Sequence, residues 1–281
     1  MAVIMSGKEP AMFLAEKQKE RVKALSQMGI SITLSVVRVG DDPASEIYVR
    51  NKHRACTEIG ILSEIIHLPG NVSQEELESC LDRLASDDRV DGILLQLPLP
   101  AHLDPKRALM HIPPEKDADG FHPANSGSLI SGGDGILPCT PCGIMYLLHY
   151  YQVPLRGRSA VVVGRSSIVG KPAAMMLLNE DCTVTVCHSK TEDLARFTQN
   201  ADILVSAVGK AGLIRGDMIR KGAAVIDVGI NRTENGLVGD VCFDEAIQRA
   251  GFITPVPGGV GKLTVAMLME NVIKLSQMHH L

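Results

Sequence analysis

The sequence predicts an α/β protein of two domains, and three observations carry that prediction. Short apolar runs alternate with amphipathic helical stretches along the chain, the pattern of parallel sheets covered on both faces by helices. A second series of the same kind starts afresh near Ser159, where a buried strand runs into a glycine-bearing turn and then a helix, as in dinucleotide-binding units. A last helix, from about Lys262 to Met278, follows a glycine- and proline-rich loop and is expected to pack back on the first domain. The expected division is a first α/β domain over 1–139, completed by a helix over 262–281, and a Rossmann-like dinucleotide-binding domain over 140–261.

The bulk properties narrow the function classes. At 281 residues the chain can bury a substantial core, and with aromatics at 3% and no Trp that core must be aliphatic. The net charge of −4 offers no basic face for a phosphate backbone, so nucleic acid is not expected as a partner. The N-terminus MAVIMSGKEP turns polar too soon for a signal peptide, and no apolar run approaches membrane-spanning length. Seven scattered cysteines in a chain that needs no staples fit a reducing compartment. The expectation is a soluble cytoplasmic protein without a membrane partner.

In the first half, Pro10 opens an amphipathic helix to about Met28, stopped by Gly29, and Ile32 to Val37 forms a strand. Asp42 then caps a helix with Pro43 at its first position and Gly60 at its end. Tyr48, Lys52, Ala55, Cys56 and Ile59 recur there at three- and four-residue spacing, so Lys52 falls on an otherwise apolar stripe. Two readings stand at this point: a lysine snorkelling out over apolar surface, or an ammonium held in a crevice to move protons. A strand from Ile61 to Leu68 follows, and Ser73 with Glu76 has capping-box spacing for a helix to about Asp87. The strand Gly92 to Leu97 carries one polar residue, Gln96, at its carboxyl end, where open α/β sheets bind ligands.

Residues 113–138 form a long turn-rich connection without obvious regular structure, concentrating Lys116-Asp117-Ala118-Asp119-Gly120-Phe121-His122-Pro123. A carboxylate there can accept a bidentate pair from an amino-pyrimidine-type ring. Cys139-Thr140-Pro141-Cys142 has redox-dithiol spacing, or half of a zinc site, but no second pair completes it. It is read as a helix start, with Thr140 as cap and Pro141 in the first position. His279-His280 is read as a frayed helix end, and no metal site is expected.

In the second half, Ala160–Val163 leads through Gly164-Arg165-Ser166-Ser167-Ile168-Val169-Gly170 into a helix over Ala173–Leu178. Strands at 183–186, 203–205 and 224–227 alternate with helices near Leu194 and Met218. The turn departs from GxGxxG, with Ser166 at the second glycine and longer spacing. Where an NAD enzyme places an acid for the ribose hydroxyls, the chain has Cys187-His188-Ser189-Lys190-Thr191, and Arg165 can reach the same region. Donors without a carboxylate favour a 2′-phosphate, hence NADP. The loop Thr254 to Thr264 lets backbone approach a ligand closely.

In order and spacing, VGDDPAS, YVRNK, GILLQLPLP, KDADGFHP, PCTP, GRSSIVGKP, CHSKT, DVGIN and TPVPGGVG resemble the bifunctional methylenetetrahydrofolate dehydrogenase/methenyltetrahydrofolate cyclohydrolase family, and the resemblance spans nearly the whole chain. It implies NADP-dependent oxidation of 5,10-methylenetetrahydrofolate and hydrolysis of the methenyl product to 10-formyltetrahydrofolate, in one cleft between the domains of a homodimeric enzyme. It places the catalytic lysine on Lys52, its glutamine partner on Gln96, the stacking tyrosine on Tyr48 and the pterin-anchoring carboxylate on Asp119. It further implies folate contacts from Pro257 and Gly259, and cofactor contacts from Gly164, Arg165, Ser166, Gly170, Ser189 and Ile230. One departure stands out: the family continues GGVGPMT, whereas this chain has Gly261-Lys262-Leu263-Thr264. Lysine for proline is expected to loosen that loop and to set a charge against the helix dipole.

Overall fold

The computed structural model describes residues 2–234 and 236–281. In chain order the elements are β1 (Val3–Ile4), α1 (Lys8–Gln27), β2 (Thr33–Val39), α2 (Pro43–Ile59), β3 (Leu62–Leu68), α3 (Gln74–Ala85), β4 (Gly92–Leu95), α4 (Pro105–Leu109), α5 (Pro123–Ser131) and α6 (Cys139–Tyr150). They continue with β5 (Ser159–Val163), α7 (Gly170–Asn179), β6 (Thr183–Cys187), α8 (Leu194–Thr198), β7 (Ile203–Ser206), β8 (Ala224–Asp227), β9 (Asn231–Thr233), β10 (Gly236–Val238), α9 (Phe243–Ala246), β11 (Phe252–Ile253) and α10 (Val260–His280). The chain divides into two compact units, 13–137 with 265–281, and 1–12 with 138–264.

The unit of 13–137 and 265–281 holds a parallel sheet in the order β3-β2-β4. Leu34, Val36 and Val37 of β2 and Ile93–Leu95 of β4 are buried, as their apolar character predicts, and Ser35 of β2 is buried among them. β3 departs from the expected two-sided cover. As the edge strand it exposes Leu62, Glu64, Ile65 and His67, two of them apolar. α3 begins with the complete capping box: Glu76 N–H donates to Ser73 Oγ at 3.2 Å and Ser73 N–H to Glu76 Oε2 at 2.9 Å. Its Leu77, Leu81 and Leu84 join Val37, Val39, Ile93 and Leu95 in one core. The connection over 113–138 is more regular than the sequence reading has it, because it contains α5. Pro123 takes the first position there, and His122 Nδ1 accepts the Ala124 N–H at 3.1 Å.

The unit of 1–12 and 138–264 is built on a six-stranded sheet, β1-β11-β8-β7-β5-β6, parallel throughout. The expected strand–helix series supplies β5 to β8. β11 and β1 extend it, and β1 comes from the other end of the chain. Val3 N–H donates to Gly251 O at 2.8 Å and Met5 N–H to Ile253 O at 2.7 Å. The first twelve residues therefore lie in this unit and not in the domain over 1–139 in which the sequence reading places them. α6 also starts earlier than expected. Pro138 is its N-cap, with no side-chain cap, and Thr140 Oγ1 instead bonds Thr264 Oγ1 at 3.1 Å.

Candidate functional site

α2 carries the first group of candidate residues. Asp42 accepts the Ser45 N–H at 2.7 Å, Pro43 follows, and Gly60 closes the helix at φ 91°. The buried side runs through Ser45, Val49, Cys56 and Ile59. Lys52 stands three residues after Val49 and four before Cys56, so it lies on this stripe. The stripe is rotated from the expected one: Tyr48 is 44% exposed, one turn before Lys52, with its ring open as a platform for a planar ligand. Lys52 Nζ does not run out to water alone; it donates to Gln96 Oε1 at 3.1 Å.

Gln96 directly follows β4 and is 8% exposed. Its N–H donates to Val37 O at 2.9 Å, and its Nε2 donates to Leu97 O at 2.6 Å. With the amide nitrogen held this way, the carbonyl oxygen can only be the acceptor turned to Lys52. One turn beyond Lys52, burial pushes the Cys56 thiol up to about 11, which removes it as a nucleophile near neutral pH.

Asp119 reaches the same end of β4. A parallel bridge pairs Asp117 with Ile93, and Ala118 N–H donates to Ile93 O at 3.2 Å. The two aspartates divide their work. Asp117 is buried and accepts from Gly120 N–H at 3.1 Å, His122 N–H at 2.7 Å and Asn125 Nδ2 at 3.0 Å. It folds the loop, while Asp119 stays half-buried and solvent-reachable. Asn271 of α10 braces the loop by donating to Ala118 O and Leu137 O, each at 2.9 Å. The sequence reading missed Asn271; its signal is an amide on the buried side of an apolar helix.

The other unit carries the candidate cofactor residues. Gly164 has φ 126°, and a Cβ there would meet Ala207 O at 2.3 Å; one on Gly170 would meet Gly164 O at 2.3 Å. Only glycine fits either place, so the turn brings bare backbone and the start of α7 to one point, a cradle suited to a pyrophosphate. Ser166 Oγ accepts the Val169 and Gly170 N–H groups, each at 3.2 Å, and so shapes the turn itself. Arg165 is exposed beside it. After β6, His188 N–H donates to Thr191 Oγ1 at 2.8 Å and Lys190 N–H to His188 Nδ1 at 3.2 Å, a tight turn that leaves Ser189 and Lys190 outward. These donors, with no carboxylate among residues 187–191, fit a 2′-phosphate. Ile230 is exposed after β8.

In the loop before α10, Pro257 is exposed and Gly259 buried. A Cβ on Gly259 would meet Pro255 O at 2.6 Å, and one on Gly7 would meet Gly259 O at 2.2 Å. Lys262 corrects the expected loosening. Its backbone N–H donates to Gly259 O at 3.2 Å, a bond that proline cannot make. Leu263 is fully buried beside Gly143. Two carboxylates that the sequence reading did not single out organise this neighbourhood. Asp227 accepts the Gly229, Asp240 and Val241 N–H groups. Asp240 in turn accepts those of Val208, Gly209 and Lys210 and a bond from Asn231 Nδ2.

Comparison with known proteins identifies the family over both parts of the chain. Residues 5–119 match the family model described as the tetrahydrofolate dehydrogenase/cyclohydrolase catalytic domain, and residues 138–280 match its NAD(P)-binding domain. The bifunctional protein FolD of Moorella thermoacetica is 55% identical over 277 residues, covering 98% of this chain and 99% of that protein. A crystal structure of bifunctional FolD from Campylobacter jejuni superposes with a TM-score of 0.97 at 48% identity, covering 99% of both chains. The Trypanosoma brucei dehydrogenase–cyclohydrolase, solved with NADP and an inhibitor, gives 0.94 at 42% identity, covering 99% of this chain and 98% of that one.

Proposed function

The chain belongs to the tetrahydrofolate dehydrogenase/cyclohydrolase family, and from that premise we propose how its residues carry the two reactions. It is a bifunctional one-carbon enzyme. It oxidises 5,10-methylenetetrahydrofolate to the methenyl form with NADP and hydrolyses that product to 10-formyltetrahydrofolate. NADP, when bound, supplies the hydride acceptor. The Gly164–Gly170 turn holds its pyrophosphate, Arg165 and Ser189 receive the 2′-phosphate, and Ser166 and Ile230 border the dinucleotide. Pro257 and Gly259 present backbone to the folate.

The observation that carries the proposal is the Lys52 Nζ to Gln96 Oε1 bond on a buried stripe at the carboxyl end of β4. Tyr48 offers its ring to the pterin, and Asp119 accepts from the pterin's amino-pyrimidine edge. Loss of hydride leaves a cationic amidinium, and water then adds to its carbon. As the carbon–oxygen double bond forms, the bond from that carbon to N5 breaks; one of the water's two protons ends on N5, the other departs, and the ring opens to the 10-formyl amide. Lys52 Nζ relays the departing proton, and Gln96 fixes where Nζ stands. The dehydrogenation needs no such base and rests on holding the two rings together.

Replacing Lys52→Met tests the assignment. Methenyl hydrolysis, followed by loss of methenyl absorbance, is expected to disappear while the Kd for NADP stays near wild type; hydrolysis at the wild-type rate would remove Lys52 from the mechanism. NADP and NAD compared at equal concentration test the phosphate pocket, with NADP expected to support the faster reduction. A cytoplasmic homodimer contributing formyl groups to purine synthesis belongs to the same reading and is supported by family membership. Among the described residues no helix is long and apolar enough to cross a membrane.

A further inference from the structure

The end of α10 carries a cluster that the folate chemistry does not use. His279 Nδ1 lies 3.2 Å and His280 Nε2 3.0 Å from one and the same oxygen, Asp91 Oδ1. All three atoms lie within 4.8 Å of one another. Asp91 is 1% exposed, and its other oxygen accepts the Thr33 N–H at 2.8 Å, so the carboxylate is held with Oδ1 turned to the imidazoles. Each imidazole remains partly open to solvent, with 31% of its side chain exposed.

In a tetrahedral shell with bonds of about 2.0–2.1 Å to nitrogen and oxygen, neighbouring donor atoms stand about 3.3 Å apart. Both nitrogen–oxygen separations here are within a few tenths of an ångström of that spacing. A carboxylate anchored by a backbone N–H is also the outer-shell support that metal ligands commonly have. The surroundings favour a cation: the pocket that His280 lines also holds Glu64, Asp87, Asp88 and Arg89, and Arg89 is paired with Asp87 at 2.7 Å. We propose that Asp91, His279 and His280 bind one divalent cation of the zinc class through Oδ1, Nδ1 and Nε2, with water completing the shell on the pocket side. Two imidazoles and one carboxylate suit zinc over magnesium or calcium, which prefer oxygen shells.

The site is remote from Lys52 along the sheet. Asp91 precedes β4 and Gln96 follows it, so the two side chains attach about 17 Å apart on the strand. The cation would clip the last turn of α10 to the start of β4, acting on the anchorage of the helix that carries Asn271.

The test uses the untagged full chain, stripped with a chelator and titrated with zinc by calorimetry and with cobalt(II) by visible absorption. The expected result is one zinc per chain at micromolar Kd or tighter, a tetrahedral cobalt band, and a thermal transition raised by several degrees with zinc in excess. His279→Gln and His280→Gln lie at the exposed end of the helix, so folding persists; each is expected to weaken zinc by at least about tenfold and to abolish the thermal shift. No saturable binding below about 100 μM, or one zinc bound equally by the wild type and the double variant, would overturn the proposal.

Discussion

At the scale of single residues, Gln96 holds Lys52 through one oxygen, and its nitrogen is already committed to Leu97. Gln96→Leu keeps the volume and removes the acceptor. A lost hydrogen bond to a charged group costs about 1.5–3 kcal/mol, so hydrolysis is expected to fall about 10- to 100-fold with NADP affinity unchanged. A stopped-flow rate within twofold of wild type would show that Lys52 stands without it. Asp227 makes a separate prediction. Burial raises its carboxyl from the ordinary carboxylate range to about 6, against the pull of the Asp240 and Val241 N–H groups, with Asp240 raising it further. The folded value lies above the unfolded one, so the native state holds this proton more tightly. The stability it contributes is whole below about pH 4 and lost as pH rises through about 6. Asp227→Asn cannot titrate and turns an amide N–H toward a backbone N–H, so it destabilises by about 1–3 kcal/mol. The gap in unfolding free energy between wild type and variant is expected to be wider at pH 4.5 than at pH 7; a gap constant with pH would refute the raised value. Lys52 and Gln96 were legible because a polar residue on an apolar pattern stands out. Asp227 and Asp240 were not, since their partners are backbone N–H groups whose convergence depends on the folded chain.

At the scale of elements, the turn from β5 into α7 exists because two glycines let backbone pass backbone. Gly170→Ala sets a Cβ 2.3 Å from Gly164 O and 2.9 Å from Arg165 N, where no flexible side chain can yield. The turn must open and draw the start of α7 away from the pyrophosphate. The Kd for NADP is expected to rise at least about tenfold, equivalent to about 1.4 kcal/mol, while methenyl hydrolysis assayed without NADP persists. Equal loss of both activities would mean that the substitution unfolds the chain and does not reshape one turn. Helices with local signals were readable in advance: α2 from Asp42, Pro43 and Gly60, and α3 from its capping box. α6 was displaced by two residues because Thr140, a good cap by type, meets Thr264 from more than a hundred residues away. The exposure of β3 was hidden for a related reason: a strand's place at a sheet edge is a property of its neighbours.

At the scale of the whole molecule, the assignment of the first residues could not be read locally. Val3 and Ile4 form a strand of two residues, too short to carry any period, and pair with Phe252 and Ile253. Met5 is fully buried, Gly7 N–H donates to Gly258 O at 2.8 Å, and Tyr151 Oη donates to Ser6 O at 3.0 Å. The N-terminus thus closes one edge of the six-stranded sheet and braces the loop that carries Pro257 and Gly259. Deleting residues 2–6 uncovers β11 and removes the buried Met5 side chain, at a cost of about 2–5 kcal/mol for the methionine alone. The hydrogen bonds lost run to Gly251, Ile253 and Tyr151, so hydrogen exchange is expected to accelerate around 251–258 and 223–226. The amides of β2 and β4 are expected to keep their protection, because none of their partners is touched. Exchange that quickened equally in β2 and β4 would contradict the assignment of these residues to the cofactor-binding unit. Protection of 251–258 unchanged from wild type would show that the strand pairing of β1 contributes nothing to it.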